Sequence, residues 1–168
     1  SRWAVLALLF VCRASLGVQF QTVGAISDQL ASQLGLNFAQ IGTLIGLFML
    51  PGMALALPGG YAARFASDRA LVAFGLLALG IGGGLAAIAP GFALLAAGRL
   101  VCGAGFVLCT IYFTKMVADW FADRELATAM GVLVMSWPFG IAIGQIGHEW
   151  LAAATSWRVC RRWWTGWP

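Results

Sequence analysis

Apolar residues run in long blocks along this chain, and the blocks break at turn-forming or charged residues. A helix that crosses a bilayer needs roughly 20 mostly apolar residues. The pattern predicts five of them, at about 3–26, 38–62, 70–89, 92–117 and 126–146. The first connection, 27–37, reads SDQLASQLGLN and is expected to be a polar, non-helical link. Pro90 and Gly91 make a tight turn between the third and fourth helices, and ADWFADRE separates the fourth from the fifth. Pro51 and Pro138 are expected inside helices, because membrane helices tolerate Gly and Pro better than soluble ones do.

Composition identifies the solvent. Of the 168 residues, 61% are hydrophobic and only 10% are charged, with a mean hydropathy of +0.89. A soluble domain carries about a quarter charged residues, and a chain of this length cannot bury so much apolar surface in its own core. The fold class is therefore an all-α membrane protein, and the lipid bilayer is its first partner. The net charge of +4 is scattered, without the basic patch that marks a nucleic-acid face. Cys12, Cys102, Cys109 and Cys160 have no CxxC or Cys/His spacing, so neither disulfides nor metal ligands are read from them. No Ser/His/Asp, Cys/His or paired-carboxylate constellation is present, so no enzyme, catalytic residue or cofactor is expected.

The loop charges set an orientation. Arg2 precedes the first helix, Arg64 and Arg69 lie between the second and third, and Lys115 and Arg124 flank the fourth connection. The first connection holds Asp28 without Lys or Arg, and the third holds no charge. Cytoplasmic loops are the positive ones, which puts the N-terminus in the cytoplasm. The tail, WRVCRRWWTGWP, places Arg158, Arg161 and Arg162 on the opposite side. Residues 158–168 are read as an atypical Arg/Trp-rich end, truncated or frame-shifted, after a bundle over 1–157; an interfacial anchor is the other reading. The first residue is Ser1, and the chain is expected to start inside a longer one.

Two charged residues sit within the apolar blocks. Such groups are costly in a bilayer and face a cavity or a partner. Arg13 shares a helical stripe with Gly17, Phe20, Gln21, Gly24 and Asp28, opposite Leu8, Val11 and Val18. Arg99 shares one with Gly103, Phe106, Thr110 and Thr114. Arg13, Gln21, Arg99, Thr110 and Gln145 are the candidates for lining a solute cavity. Each has a structural alternative: snorkelling, a bond to a neighbouring carbonyl, or an interhelical donor. Gly103, Gly105, Pro138 and Gly140 are read as helix-packing residues, since glycines let helices approach closely. His148 and Glu149 are read as a solvated pair at the membrane surface.

At three places the chain resembles the N-terminal half of a major facilitator superfamily transporter. PGGYAARFASDRALVAFG sits where that family has its Gly-x-x-x-Asp-Arg-x-Gly-Arg-Arg-type loop: Gly59 and Arg64 match, Ala63 and Ala66 replace the acid and the second glycine, and Asp68 and Arg69 come later. GRLVCGAGF matches the fourth-helix signature through Arg99, Gly103 and Gly105. ADWFADRELATAMGVLVMSWPFGIAIG is similar to the fourth-to-fifth loop, through Trp120, Phe121 and Arg124, and to the Pro/Gly-rich fifth helix. Trp137-Pro138 stands where antiporters carry Gly-Pro, which does not support antiport. In character the chain is similar to the cyanate- and nitrate-type anion permeases.

The resemblance covers about residues 3–158 and implies an architecture. It is that of a six-helix bundle built from two inverted three-helix repeats, cut before or in its sixth helix, with solute bound between two such bundles. It implies that the first and fourth helices line the cavity. Gly59, Arg64, Asp68, Arg69 and Arg124 would belong to gating loops. The expected function is secondary active transport of a small solute, an organic or inorganic anion, by alternating access. The partners are then the solute and a missing C-terminal half or a second copy. The competing expectation is a truncated, non-transporting remnant or a half-subunit. Composition rich in Ala, Gly and Arg points to the inner membrane of a bacterium.

Overall fold

A computed structural model of the chain describes residues 2–122 and 125–154. Arg124 and residues 158–168 lie outside the described residues. Six α-helices follow one another: α1 (Arg2–Ala25), α2 (Ser27–Leu34), α3 (Phe38–Tyr61), α4 (Asp68–Ala87), α5 (Phe92–Phe121) and α6 (Leu126–Ala154). The described residues contain no strand. Five helices are long and apolar enough to span a membrane: α1, α3, α4, α5 and the Leu126–His148 part of α6. Lipid as solvent accounts for side chains such as Met53 and Leu57, which are 87% and 86% exposed on α3.

The connection 27–37 is a correction. It is largely helical, as α2, where a polar non-helical link was expected. Polar composition hid an amphipathic turn pattern. Leu30, Ala31 and Leu34 fall on one side and pack against a cluster of Val23, Leu36, Ile41, Leu44 and Leu95. Asp28 favours the first turn through the helix dipole. Gly35 ends the helix in the left-handed conformation at φ 64°, where a residue without Cβ is unstrained.

The helix ends have local causes. Asn37 caps α3 by accepting from the Gln40 amide at 2.8 Å, and Gln40 accepts from the Asn37 amide at 3.0 Å. The Ser67 hydroxyl accepts from the Ala70 amide, so α4 starts at Asp68 rather than 70. α5 runs one turn past 117, to Phe121, whose buried ring meets Trp3 at 5.3 Å between centroids. α6 continues past 146 to Ala154. Pro51, Pro58 and Pro138 all lie within continuous helices.

Glycine notches set the packing. α1 and α6 run parallel, tied by Arg2 to Glu125 at one end and Gln21 to Gln145 towards the other. A Cβ on Gly17 would lie 2.7 Å from the Trp137 carbonyl oxygen, and one on Gly140 would overlap the Ala14 backbone. α5 receives α4 in the same way: a Cβ on Gly82 would lie 2.6 Å from the Gly98 oxygen, and Gly105 abuts the backbone of Gly75. On another side of α5, Gly103 meets the Phe48 backbone and Pro51 of α3. Small residues replace hydrophobic driving force between membrane helices by letting backbones touch.

Candidate functional site

The interior between α1, α3, α5 and α6 is layered. Gln21 of α1 donates to Gln145 of α6 at 2.6 Å, so these two candidates meet each other. Next comes Arg99, buried with 3% exposed. Its Nε donates to the Leu44 carbonyl of α3 at 3.3 Å, and its Nη1 and Nη2 to the Gln19 and Phe20 carbonyls of α1 at 3.3 and 3.2 Å. Its guanidinium also lies 4.6 Å from the Phe48 ring centroid, within cation–π range. One side chain of α5 thus joins three helices through carbonyls that also serve the helices' own hydrogen bonds.

Beyond Arg99 four rings close a circuit, one from each of four helices. Phe20 meets Phe48 at 5.4 Å and Trp137 at 5.4 Å, Phe48 meets Phe106 at 5.3 Å, and Phe106 meets Trp137 at 4.8 Å. All pairs are tilted or edge-on, the arrangements that ring quadrupoles favour.

Past the rings lie Arg13 and Thr110. α1 and α5 are antiparallel, with Arg99 reaching Gln19 and Phe20 at one level and Trp3 meeting Phe121 at another. That register sets Arg13 and Thr110 within about one helical turn of each other along the axis. Arg13 precedes Phe20 by seven residues and Thr110 follows Phe106 by four, so each looks to the same interior side as its ring. Arg13 Nε and Thr110 Oγ1 are buried and have no hydrogen-bond partner among the described residues. Both can donate, and a guanidinium cannot accept. A group that satisfies Arg13 Nε must carry an acceptor oxygen or nitrogen, and the Thr110 hydroxyl can donate to the same group.

The remaining named residues lie at the Arg2 end or in the packing seams. Gly59 is buried and its carbonyl accepts from the Tyr112 hydroxyl at 2.6 Å. Arg64 stacks on Tyr61 at 4.9 Å and donates to its hydroxyl at 2.9 Å. Asp68 pairs with Lys115, which also meets Asp119 at 3.4 Å. Arg69 lines an apolar groove with Leu8, Leu9 and Cys12. Pro138 sits in α6, exposed on the side away from Gly140's contact with Ala14.

A family model described as Major Facilitator Superfamily matches residues 9–164. The chain belongs to this superfamily. No curated protein matches it. Superfamily members are transporters, so membrane transport is its function class, and the chain is an integral membrane protein. The match takes in the described bundle from residue 9 onwards and runs on to 164, within the Arg/Trp-rich segment.

Some features of this superfamily member were not singled out from sequence. Gln19 donates to the Leu79 carbonyl at 3.2 Å and lies 3.6 Å from Cys102 Sγ. A second glutamine two residues from Gln21 in an apolar run was the available signal. Tyr112 as donor to α3 had no one-dimensional signal, and of the ring circuit only Phe20 and Phe106 stood on the two Arg stripes. Phe48 and Trp137 belong to helices whose faces become defined only once they pack.

Proposed function

We propose that this chain contributes one helical bundle of a secondary active transporter, working by alternating access against a second bundle supplied by a C-terminal half or a second copy. The solute is a small organic or inorganic anion. Arg13 is its charge partner and Thr110 a neighbouring donor. The observation that supports this is the unsatisfied pair of buried polar atoms, Arg13 Nε and Thr110 Oγ1, on facing helices. A buried donor without a partner costs about 1–3 kcal/mol, a cost that an arriving acceptor removes.

The other candidates take different parts in this reading. Gln21 and Gln145 close one end of the path, and Arg99 joins helices. Gly59 at the end of α3, Arg64 in the connection, and Asp68 and Arg69 in the first turn of α4 form the gating region at the opposite end. That end faces the cytoplasm of a bacterial inner membrane, as the positive charge of its loops favours.

The test is uptake of a panel of radiolabelled monovalent and divalent anions into vesicles that carry the complete transporter. Arg13→Gln is expected to lower uptake of its anion at least tenfold with unchanged membrane content, and Arg13→Lys to keep part of it. Unchanged uptake in Arg13→Gln would remove Arg13 from the path. A remnant or half-subunit is the second reading, and uptake of none of the anions would favour it.

A further inference from the structure

The five long helices do not pack evenly. Backbone meets backbone inside two groups. α1 and α6 interlock at Gly17, Gly140 and Gly144, while α5 holds α4 at Gly98 and Gly105 and α3 at Gly103. Between the groups, no described glycine brings two backbones together. Gly83 of α4 looks across, and a Cβ there would meet only the tip of Gln19, 3.0 Å away at Nε2. The other contacts that cross involve side chains, among them Gln19 to the Leu79 carbonyl, Arg2 and Trp3 against Phe121, the ring contacts from Phe20 to Phe48 and from Phe106 to Trp137, the packing of Val23 with Ile41, Leu44 and Leu95, and Arg99. Arg13 and Thr110, with their unmet polar atoms, stand on opposite sides of this seam.

We propose that Arg99 is a positioning residue, a releasable clamp that holds α1–α6 in register against α3–α4–α5, and that the two bodies shift along the seam when it lets go. The geometry favours a shift over rupture. Aromatic edges and side-chain tips present no interlocked backbone to climb over, whereas the glycine notches do. The α1 acceptors of Arg99 are backbone carbonyls, and a helix repeats these every turn of about 5.4 Å. A guanidinium displaced along α1 therefore meets an equivalent set of oxygens. Packed interfaces of this kind switch between discrete arrangements, with helix displacements of about 1–2 Å or more. The inference rests on the transport reading in one respect: the shift changes how far apart Arg13 and Thr110 stand, and so when the anion is held.

Distances between spin labels test this with the full chain in lipid nanodiscs and no solute present. The four native cysteines are replaced by alanine, and labels go on exposed positions. Leu8 and Leu77 span the seam, Leu8 and Met135 report on α1–α6, and Met53 and Leu77 report on α3–α4–α5; all four are exposed. The expected result is a cross-seam distribution that shifts by about 2 Å or more in Arg99→Gln, and by less in Arg99→Lys, which keeps a charged donor. Both within-body distances stay where they are, which also shows that the variants fold. Cross-seam distances unmoved by either substitution would overturn the proposal. So would all three distances widening together, since Arg99 would then serve general packing. Loss of the anion-transport reading would leave these distances unaffected, so the two failures are separable.

Discussion

The α1–α6 contact and the contact of α1 with α5 join the same helix to two neighbours, and they are built from different materials. Towards α6, α1 offers Ala14, Gly17 and Val18, and Gly140 and Gly144 answer, so peptide planes touch. Towards α5, α1 offers Trp3 and the Gln19 and Phe20 carbonyls, and long side chains answer: Phe121 and Arg99. In lipid, water does not drive helices together, so shape and polar bonds decide. The glycine contact is a shape that tolerates almost no change. The other is a set of individually weaker links, and it is there that buried polar atoms remain unsatisfied.

That contrast can be broken most sharply at Gly140. Gly140→Val puts branched carbons into the Ala14 backbone. It is expected to destabilise the bundle by about 3 kcal/mol, the upper range of overpacking, as read by SDS-titration unfolding in mixed micelles. A loss under 1 kcal/mol would mean that α1 and α6 separate freely and that the comparison is wrong. On the other side, Phe106→Leu removes one ring from the circuit and two ring–ring contacts. Aromatic pairs add about 0.5–1.5 kcal/mol beyond area, so a loss near 1–2 kcal/mol is expected in the same titration, with the bundle still folded. Smallest is Glu125→Gln, which breaks an ion pair with Arg2 whose side chains are 41% and 48% exposed. Exposed pairs contribute about 0–1 kcal/mol. Its effect is expected below 0.5 kcal/mol and reduced further by salt; a larger one would make the Arg2 end a third kind of contact.

The spans were legible because membrane crossing needs a long unbroken apolar run, and the blocks leading to α1, α3, α4, α5 and α6 are such runs. α2 was not legible. Eight residues with Ser, Asp and Gln look like a loop, and only Leu30, Ala31 and Leu34 packing together make them a helix. The site was partly legible. Arg13, Arg99 and the glutamines stand out because polar groups are rare in such blocks. What each one bonds to was not, because a side chain can meet another side chain or any of the carbonyls present at every position. Gln21 met Gln145, and Arg99 met three carbonyls. A glycine in a run is likewise visible, while the backbone it abuts is a property of the assembled bundle.

The partners of Arg99 are main-chain oxygens of Gln19, Phe20 and Leu44. Every residue, whatever its side chain, supplies that same oxygen, so no side-chain replacement at positions 19, 20 or 44 withdraws it. The two halves of this interaction are consequently unequal as inherited information: one is written in a single codon for arginine, and the other is not written at any particular codon. The bonds themselves therefore set no side-chain requirement at 19, 20 or 44 that would have to change in step with 99. Only a change that redirects the chain itself, such as a proline that breaks α1 near Val23, reaches the acceptor side.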